Sequence, residues 1–141
     1  MYRPTVLLAD DHSGIREELV RLLQDEDFDV VAAVGDGSLL MDAAIRFRPD
    51  AIVTDLSMPG LRVFDALDDL KAQGLDSKVV VLTMHADADV AMRALSSGAS
   101  GYLLKYEAGR ELAAAIREVL RGGVYLTSSL RQEVLDRTAP C

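Results

Sequence analysis

Short apolar runs alternate with longer amphipathic stretches five times along this chain, and that alternation narrows the fold more than any other feature. The apolar runs are Thr5–Ala9, Phe28–Val34, Ala51–Thr54, Lys78–Leu82 and Gly101–Leu104. Each has the length of a strand, is built mainly from aliphatic residues, and ends at a polar or turn residue. Between them the apolar residues recur at helical spacing. Ile15, Leu19, Leu22 and Leu23 share one face of Ser13–Glu26, and Leu40, Ala43, Ala44 and Phe47 share one of Ser38–Phe47. Phe64, Leu67 and Leu70 mark a helix over Arg62–Ala72, and Asp87–Ser97 forms another, stopped by Gly98. A fifth covers Glu107–Arg121, with Leu112, Ile116, Val119 and Leu120 together and Gly122-Gly123 at its end. Strict strand–helix alternation predicts an α/β domain with a parallel sheet, right-handed crossovers and helices on both faces.

Composition fits that reading. Half of the 141 residues are hydrophobic, aromatic residues make up 5% and tryptophan is absent, so the core must be aliphatic. A net charge of −8 disfavours direct binding to nucleic acid or to an anionic membrane, and favours a basic protein or a divalent cation. The single cysteine, Cys141, has no intrachain partner, which suits a reducing cytoplasm. No apolar run reaches the length of a signal peptide core or a membrane span.

Residues 1–123 form the expected domain. Val124–Cys141 is too small for another and reads as a linker or short C-terminal helix. In it, Ser129 with Gln132 resembles a capping box, and Leu130, Val134 and Leu135 could share a face.

Chemistry in an open parallel sheet gathers at the carboxyl ends of the strands. The first strand ends in Asp10 and Asp11, the third in Asp55, the fourth in Thr83 and the fifth in Lys105. Each alone has an ordinary structural role as a cap, a turn residue or a solvated charge. Their joint placement is what carries the argument. Three carboxylates on one rim repel one another unless a cation neutralises them, and hard oxygen donors suit Mg²⁺. A lysine beside them would bind a phosphoryl oxygen as a point charge, and a threonine hydroxyl could donate to another. The set describes a phosphoryl-transfer site with a carboxylate nucleophile.

Five segments keep the order and spacing of a known family. They are Val6-Leu-Leu-Ala-Asp-Asp-His12, Gly35-Asp-Gly37, Asp55-Leu-Ser-Met-Pro-Gly60, Val81-Leu-Thr-Met-His85 and Gly98-Ala-Ser-Gly-Tyr-Leu-Leu-Lys105. With them, the chain resembles the receiver domains of response regulators, in particular those of LuxR/FixJ-type transcription regulators. Ala115-Ile-Arg through Gly122-Gly-Val-Tyr-Leu126 is similar to the closing helix of that subfamily, so the resemblance runs from about Thr5 to Leu126. It implies a flavodoxin-like, three-layer fold with five parallel strands in the order 2-1-3-4-5 and five helices. That order is the known one for a chemotaxis receiver of this family.

The resemblance also implies roles. Asp55 would take a phosphoryl group from a phosphohistidine on a sensor histidine kinase. Asp10, Asp11, Asp55 and the backbone carbonyl of Ser57 would hold Mg²⁺, with Mn²⁺ as an alternative. Lys105 and Thr83 would bind the phosphoryl oxygens. Thr83 and Tyr102 would act as a switch for the face made by helix four, strand five and helix five. His12 borders the site, and His85 occupies a variable position near it. The implied protein is a cytoplasmic signalling module rather than an enzyme, apart from slow loss of its own phosphoryl group. It would dimerise on phosphorylation, and would reach DNA only through a domain beyond residue 141.

The sequence departs from the pattern at two places within the matched span. Arg62-Val63 stand where the family has Asp or Asn and then Gly, so the loop into helix three should be shaped differently. Tyr106 replaces the proline that commonly follows the lysine, which removes the reason for a cis peptide there. Three other readings compete: a phosphorylation-independent pseudo-receiver, a small-molecule phosphatase and an FMN-binding flavodoxin. The phosphatase reading lacks an Asp-x-Asp after the first strand, and the flavodoxin reading lacks a Ser/Thr/Gly-rich phosphate loop there.

Overall fold

A computed structural model describes residues 2–138, so Cys141 lies outside the described residues. Its elements are β1 (Thr5–Ala9), α1 (Ser13–Asp25), β2 (Asp29–Val34), α2 (Gly37–Phe47), β3 (Ala51–Asp55) and α3 (Val63–Ala72). Then come β4 (Lys78–Thr83), α4 (Ala88–Ser96), β5 (Gly101–Leu104), a 3₁₀ turn (Lys105–Glu107), α5 (Ala108–Leu120), β6 (Tyr125–Leu126) and α6 (Ser128–Thr138). The strands form one sheet in the order β2-β1-β3-β4-β5-β6, and all neighbours are parallel. The flavodoxin-like order of the first five strands agrees with expectation.

The short helix read as one alternative for the C-terminal stretch is present as α6, whereas the sixth strand goes beyond the five expected. Gly122 takes φ +93° and ends α5, so the chain turns back rather than extending that helix through Leu126. Tyr125 and Leu126 then pair with Gly101 and Tyr102 at the β5 edge. Two residues are too few to show a strand periodicity, which is why the sequence hid them.

The sheet divides two cores by simple alternation. On β1, Leu7 and Ala9 face the layer of α2, α3 and α4, whereas Val6 and Leu8 face α1 and α5. Leu19 and Leu23 of α1 and Leu112, Ile116 and Val119 of α5 complete the second core. Leu40 of α2, Leu67 and Leu70 of α3, and Ala91 and Ala94 of α4 complete the first, which also takes in Leu130 and Val134 of α6. Two apolar residues fall outside their expected faces. Phe47, the last residue of α2, is 42% exposed, with the Arg46 guanidinium lying over its ring. Leu135 is 59% exposed, because α6 presents only one side to the domain. Ser129 lies inside α6, not at its cap.

Local chemistry sets the helix starts next to the site. His12 caps α1, its Nδ1 accepting from the Ile15 N–H. Asp36 caps α2 through the Leu39 N–H, and Asp87 caps α4 through the N–H groups of Asp89 and Val90. Arg62 precedes α3 with no side-chain cap. Neither Arg62 nor Val63 takes a positive φ; Gly60, at φ +71°, makes the turn instead. No peptide bond among the described residues is cis, in keeping with Tyr106 in place of proline.

Candidate functional site

β1, β3, β4 and β5 all end on the same rim, and the side chains at those ends meet there. Asp10 is fully buried and Asp55 is 4% exposed, while Asp11 faces solvent. One carboxylate oxygen from each of Asp10, Asp11 and Asp55 can be chosen so that all lie within 4.8 Å of one another. Lys105, first residue of the 3₁₀ turn after β5, reaches back and donates to Asp10 Oδ1 and to Asp55 Oδ2, both at 3.0 Å. One ammonium therefore bridges the two buried carboxylates and leaves each with a spare oxygen. Asp10 Oδ2 and Asp55 Oδ1 are buried and have no hydrogen-bond partner.

Such orphaned acceptors are costly, and they cluster where a ligand normally completes the set. The donors are all oxygens, in a group with more negative charge than Lys105 can offset. That donor set fits a hard divalent cation, so this acidic cluster could hold a metal. The electrostatics report the same tension. Burial pushes the Asp55 carboxyl up to about 7, against the pull of Lys105 and with the help of the nearby Asp10 charge. Burial works to lower the Lys105 ammonium, but its bonds to Asp10 and Asp55 prevail and hold it above its ordinary value.

The rim opens outward into a cavity of about 320 Å³ lined by Asp11, Asp55, Ser57, Thr83, His85 and Lys105, among others. Thr83, the last residue of β4, directs its hydroxyl to the backbone of His85. Its hydroxyl donates to the His85 carbonyl at 3.2 Å and accepts from the His85 N–H at 3.3 Å. Tyr102 is fully buried in β5, and its hydroxyl approaches the same His85 carbonyl at 3.5 Å. His85 thus takes part through its backbone. His12 is near the rim but is committed to capping α1, and its N–H donates to Asp10 Oδ1 at 2.8 Å.

One contributor escaped the sequence reading. Arg16 of α1 donates from Nη1 to the Asp10 carbonyl at 2.6 Å and so fixes the end of β1. A side chain that binds a backbone carbonyl leaves no mark in residue pattern; its one signal is a cation a turn into the helix that follows the acidic pair.

Comparison with known proteins agrees with this geometry. Residues 6–117 match the response regulator receiver domain family. The nitrate/nitrite response regulator protein homolog of Haemophilus influenzae is 36% identical over 134 residues, covering 94% of this chain and 64% of that protein. The transcriptional regulatory protein DegU of Brevibacillus brevis is 37% identical over 122 residues, covering 86% of this chain and 52% of that protein. The chain therefore spans between about half and two thirds of the length of these curated relatives. Among solved structures, a two-component response regulator of the LuxR family from Aurantimonas sp. superposes with a TM-score of 0.89 at 28% identity, over 96% of this chain and 98% of that one. The receiver domain of the putative response regulator NarL from Mycobacterium tuberculosis gives 0.81 at 27% identity, over 86% of this chain and 99% of that one. Fold, rim and sequence agree: the chain belongs to the response regulator receiver domain family, as found in LuxR-family two-component response regulators.

Proposed function

We propose that this chain receives a phosphoryl group on Asp55 from a phosphohistidine of a sensor histidine kinase. The observation that carries the reading is the state of the Asp55 carboxylate: one oxygen held by Lys105, the other buried without a partner at the floor of an open cavity. In the transfer, the nitrogen–phosphorus bond of the donor breaks and an oxygen–phosphorus bond to Asp55 forms. The imidazole leaves with the electron pair and takes up a proton. Lys105 turns from Asp55 to the new phosphoryl oxygens, and Thr83 gives up its bond to His85 to donate to one of them. Asp10, Asp11, Asp55 and the Ser57 carbonyl would hold Mg²⁺, or Mn²⁺ in its place, and a bound ion would supply positive charge to the oxygens that gain charge in transfer.

Phosphorylation then acts through Tyr102 and the face of α4, β5 and α5, because a doubly charged group at Asp55 biases a two-state surface. Residues 1–123 form the receiver proper. Residues 124–141 lead toward a DNA-binding domain of a longer cytoplasmic transcription regulator, which dimerises when phosphorylated. The relatives' names support that output. No helix among the described residues is long and apolar enough to cross a membrane.

The test is intact mass after incubation with Mg²⁺ and phosphoramidate or acetyl phosphate. One phosphoryl adduct is expected on the wild type and none on Asp55→Asn. Absence of an adduct on the wild type would favour a phosphorylation-independent binding module, and repeated turnover of a small phosphoester would favour a phosphatase.

A further inference from the structure

The Gly35-Asp36-Gly37 turn between β2 and α2 supplies no carboxylate to the acidic cluster and no wall to its cavity. It nevertheless touches both loops that carry the site. The Gly37 N–H donates to the Pro59 carbonyl at 2.9 Å, in the loop that follows Asp55. Here backbone meets backbone. A Cβ on Gly37 would lie 2.1 Å from the Gly60 carbonyl oxygen, 2.5 Å from its carbon and 2.8 Å from the Leu61 Cα. None of those atoms belongs to a flexible side chain, so nothing can swing aside. Gly37 does not have a positive φ, so its own conformation does not call for glycine. The close approach does.

The turn is braced on its other side. Asp36 Oδ1 accepts from the Leu39 N–H at 2.8 Å and from the Ser38 hydroxyl at 2.9 Å. Gly35 leaves room for Arg16 on its way to the Asp10 carbonyl, and a Cβ there would lie 3.0 Å from Arg16 Nη1. That neighbour is the tip of a long side chain and can shift. The two glycines therefore differ in kind: one faces rigid backbone, the other a movable cation.

We propose that Gly37 is a positioning residue for the acidic site, its bare backbone seating the loop from Leu56 to Gly60, and with it the Ser57 carbonyl, against the start of α2. The inference rests on the reading of Asp55, Mg²⁺ and Ser57 given above. It assigns a role in that site to a residue on another helix with no functional side chain.

Isothermal titration calorimetry with Mg²⁺ alone tests it on wild type, Gly37→Ala, Gly35→Ala and Gly109→Ala; Gly109 has no neighbour within 4 Å of a built Cβ. Gly37→Ala should weaken Mg²⁺ binding about tenfold or more, Gly35→Ala by less than about threefold, and Gly109→Ala not at all. A merely structural role would lower the metal-free melting temperature of Gly37→Ala and leave the Mg²⁺ affinity of the folded protein intact, and that result overturns the proposal. A second readout needs no metal: the Leu61 N–H bonds to the Met58 carbonyl at 3.0 Å, and its exchange with solvent should speed up about tenfold in Gly37→Ala. Unchanged exchange overturns the proposal. Failure of the wild type to bind Mg²⁺ removes instead the reading on which it rests. If Gly37→Ala does not fold, Asp36→Ala loosens the same turn without adding an atom. It should weaken Mg²⁺ binding in the same direction by a smaller factor, and no weakening overturns the proposal.

Discussion

Asp55 is held in a folded state that disfavours its own charge. Its carboxyl is pushed up to about 7 in the folded protein, from an ordinary value near 3.8, chiefly by burial. The folded state thus binds the proton more tightly than the unfolded state does. The penalty is absent below the unfolded value, grows as pH rises from about 4 to 7, and is complete above 7. Replacing Asp55 with Asn removes it. In EDTA at pH 8, Asp55→Asn should be more stable than wild type by about 1–3 kcal/mol, a difference that vanishes near pH 4, as read by urea unfolding. Lys105→Met should act in the opposite sense. It strips the shared cation from two buried carboxylates and should cost about 3 kcal/mol in EDTA at pH 8, and less at pH 5, where Asp55 is protonated. Asp10, Asp55, Thr83 and Lys105 were legible in the sequence because each sits where an apolar run stops. Arg16 was not, because its partner is a carbonyl that every residue possesses.

Among the elements, β6 is the least legible, and β6 with α6 is the most dependent on tertiary contacts. β6 holds to β5 through the Tyr125 N–H to the Ser100 carbonyl and the Thr127 N–H to the Tyr102 carbonyl, both 2.9 Å. The next tie is a side-chain pair: buried Thr127 donates its hydroxyl to Glu107 Oε1 at 2.8 Å. That bond holds the Glu107 carboxyl below its usual range. Glu107 closes the 3₁₀ turn that Lys105 opens, so the docking of α6 and the grip on Asp55 share three consecutive residues. Glu107→Ala leaves the Thr127 hydroxyl buried without its acceptor. Amide exchange at Leu130 and Val134 should then accelerate about tenfold or more, while exchange in β1 and β3 stays unchanged. No local pattern announces this tie, because its partners lie twenty residues apart. The five longer strands, in contrast, declare themselves by length and aliphatic content.

At the scale of the whole molecule, 23 acidic residues face 15 basic ones, and the most crowded of the acids ring one rim. A divalent cation that binds there only in the folded state stabilises the domain by mass action. Saturating Mg²⁺ should raise the melting temperature at pH 8 by several degrees, EDTA should reverse it, and Asp10→Asn should abolish most of the gain.

The sheet's two margins also differ. β6 is two residues long and is followed by the packed helix α6, whereas β2 is a six-residue margin, Asp29–Val34, with one charged residue at its start. An open row of peptide groups templates strand addition, and charge or brevity discourages it. Unwanted self-association of this domain by sheet extension therefore has a direction. It proceeds from the β2 margin, and a lysine placed at Val31 or Ala33 is the economical guard against it.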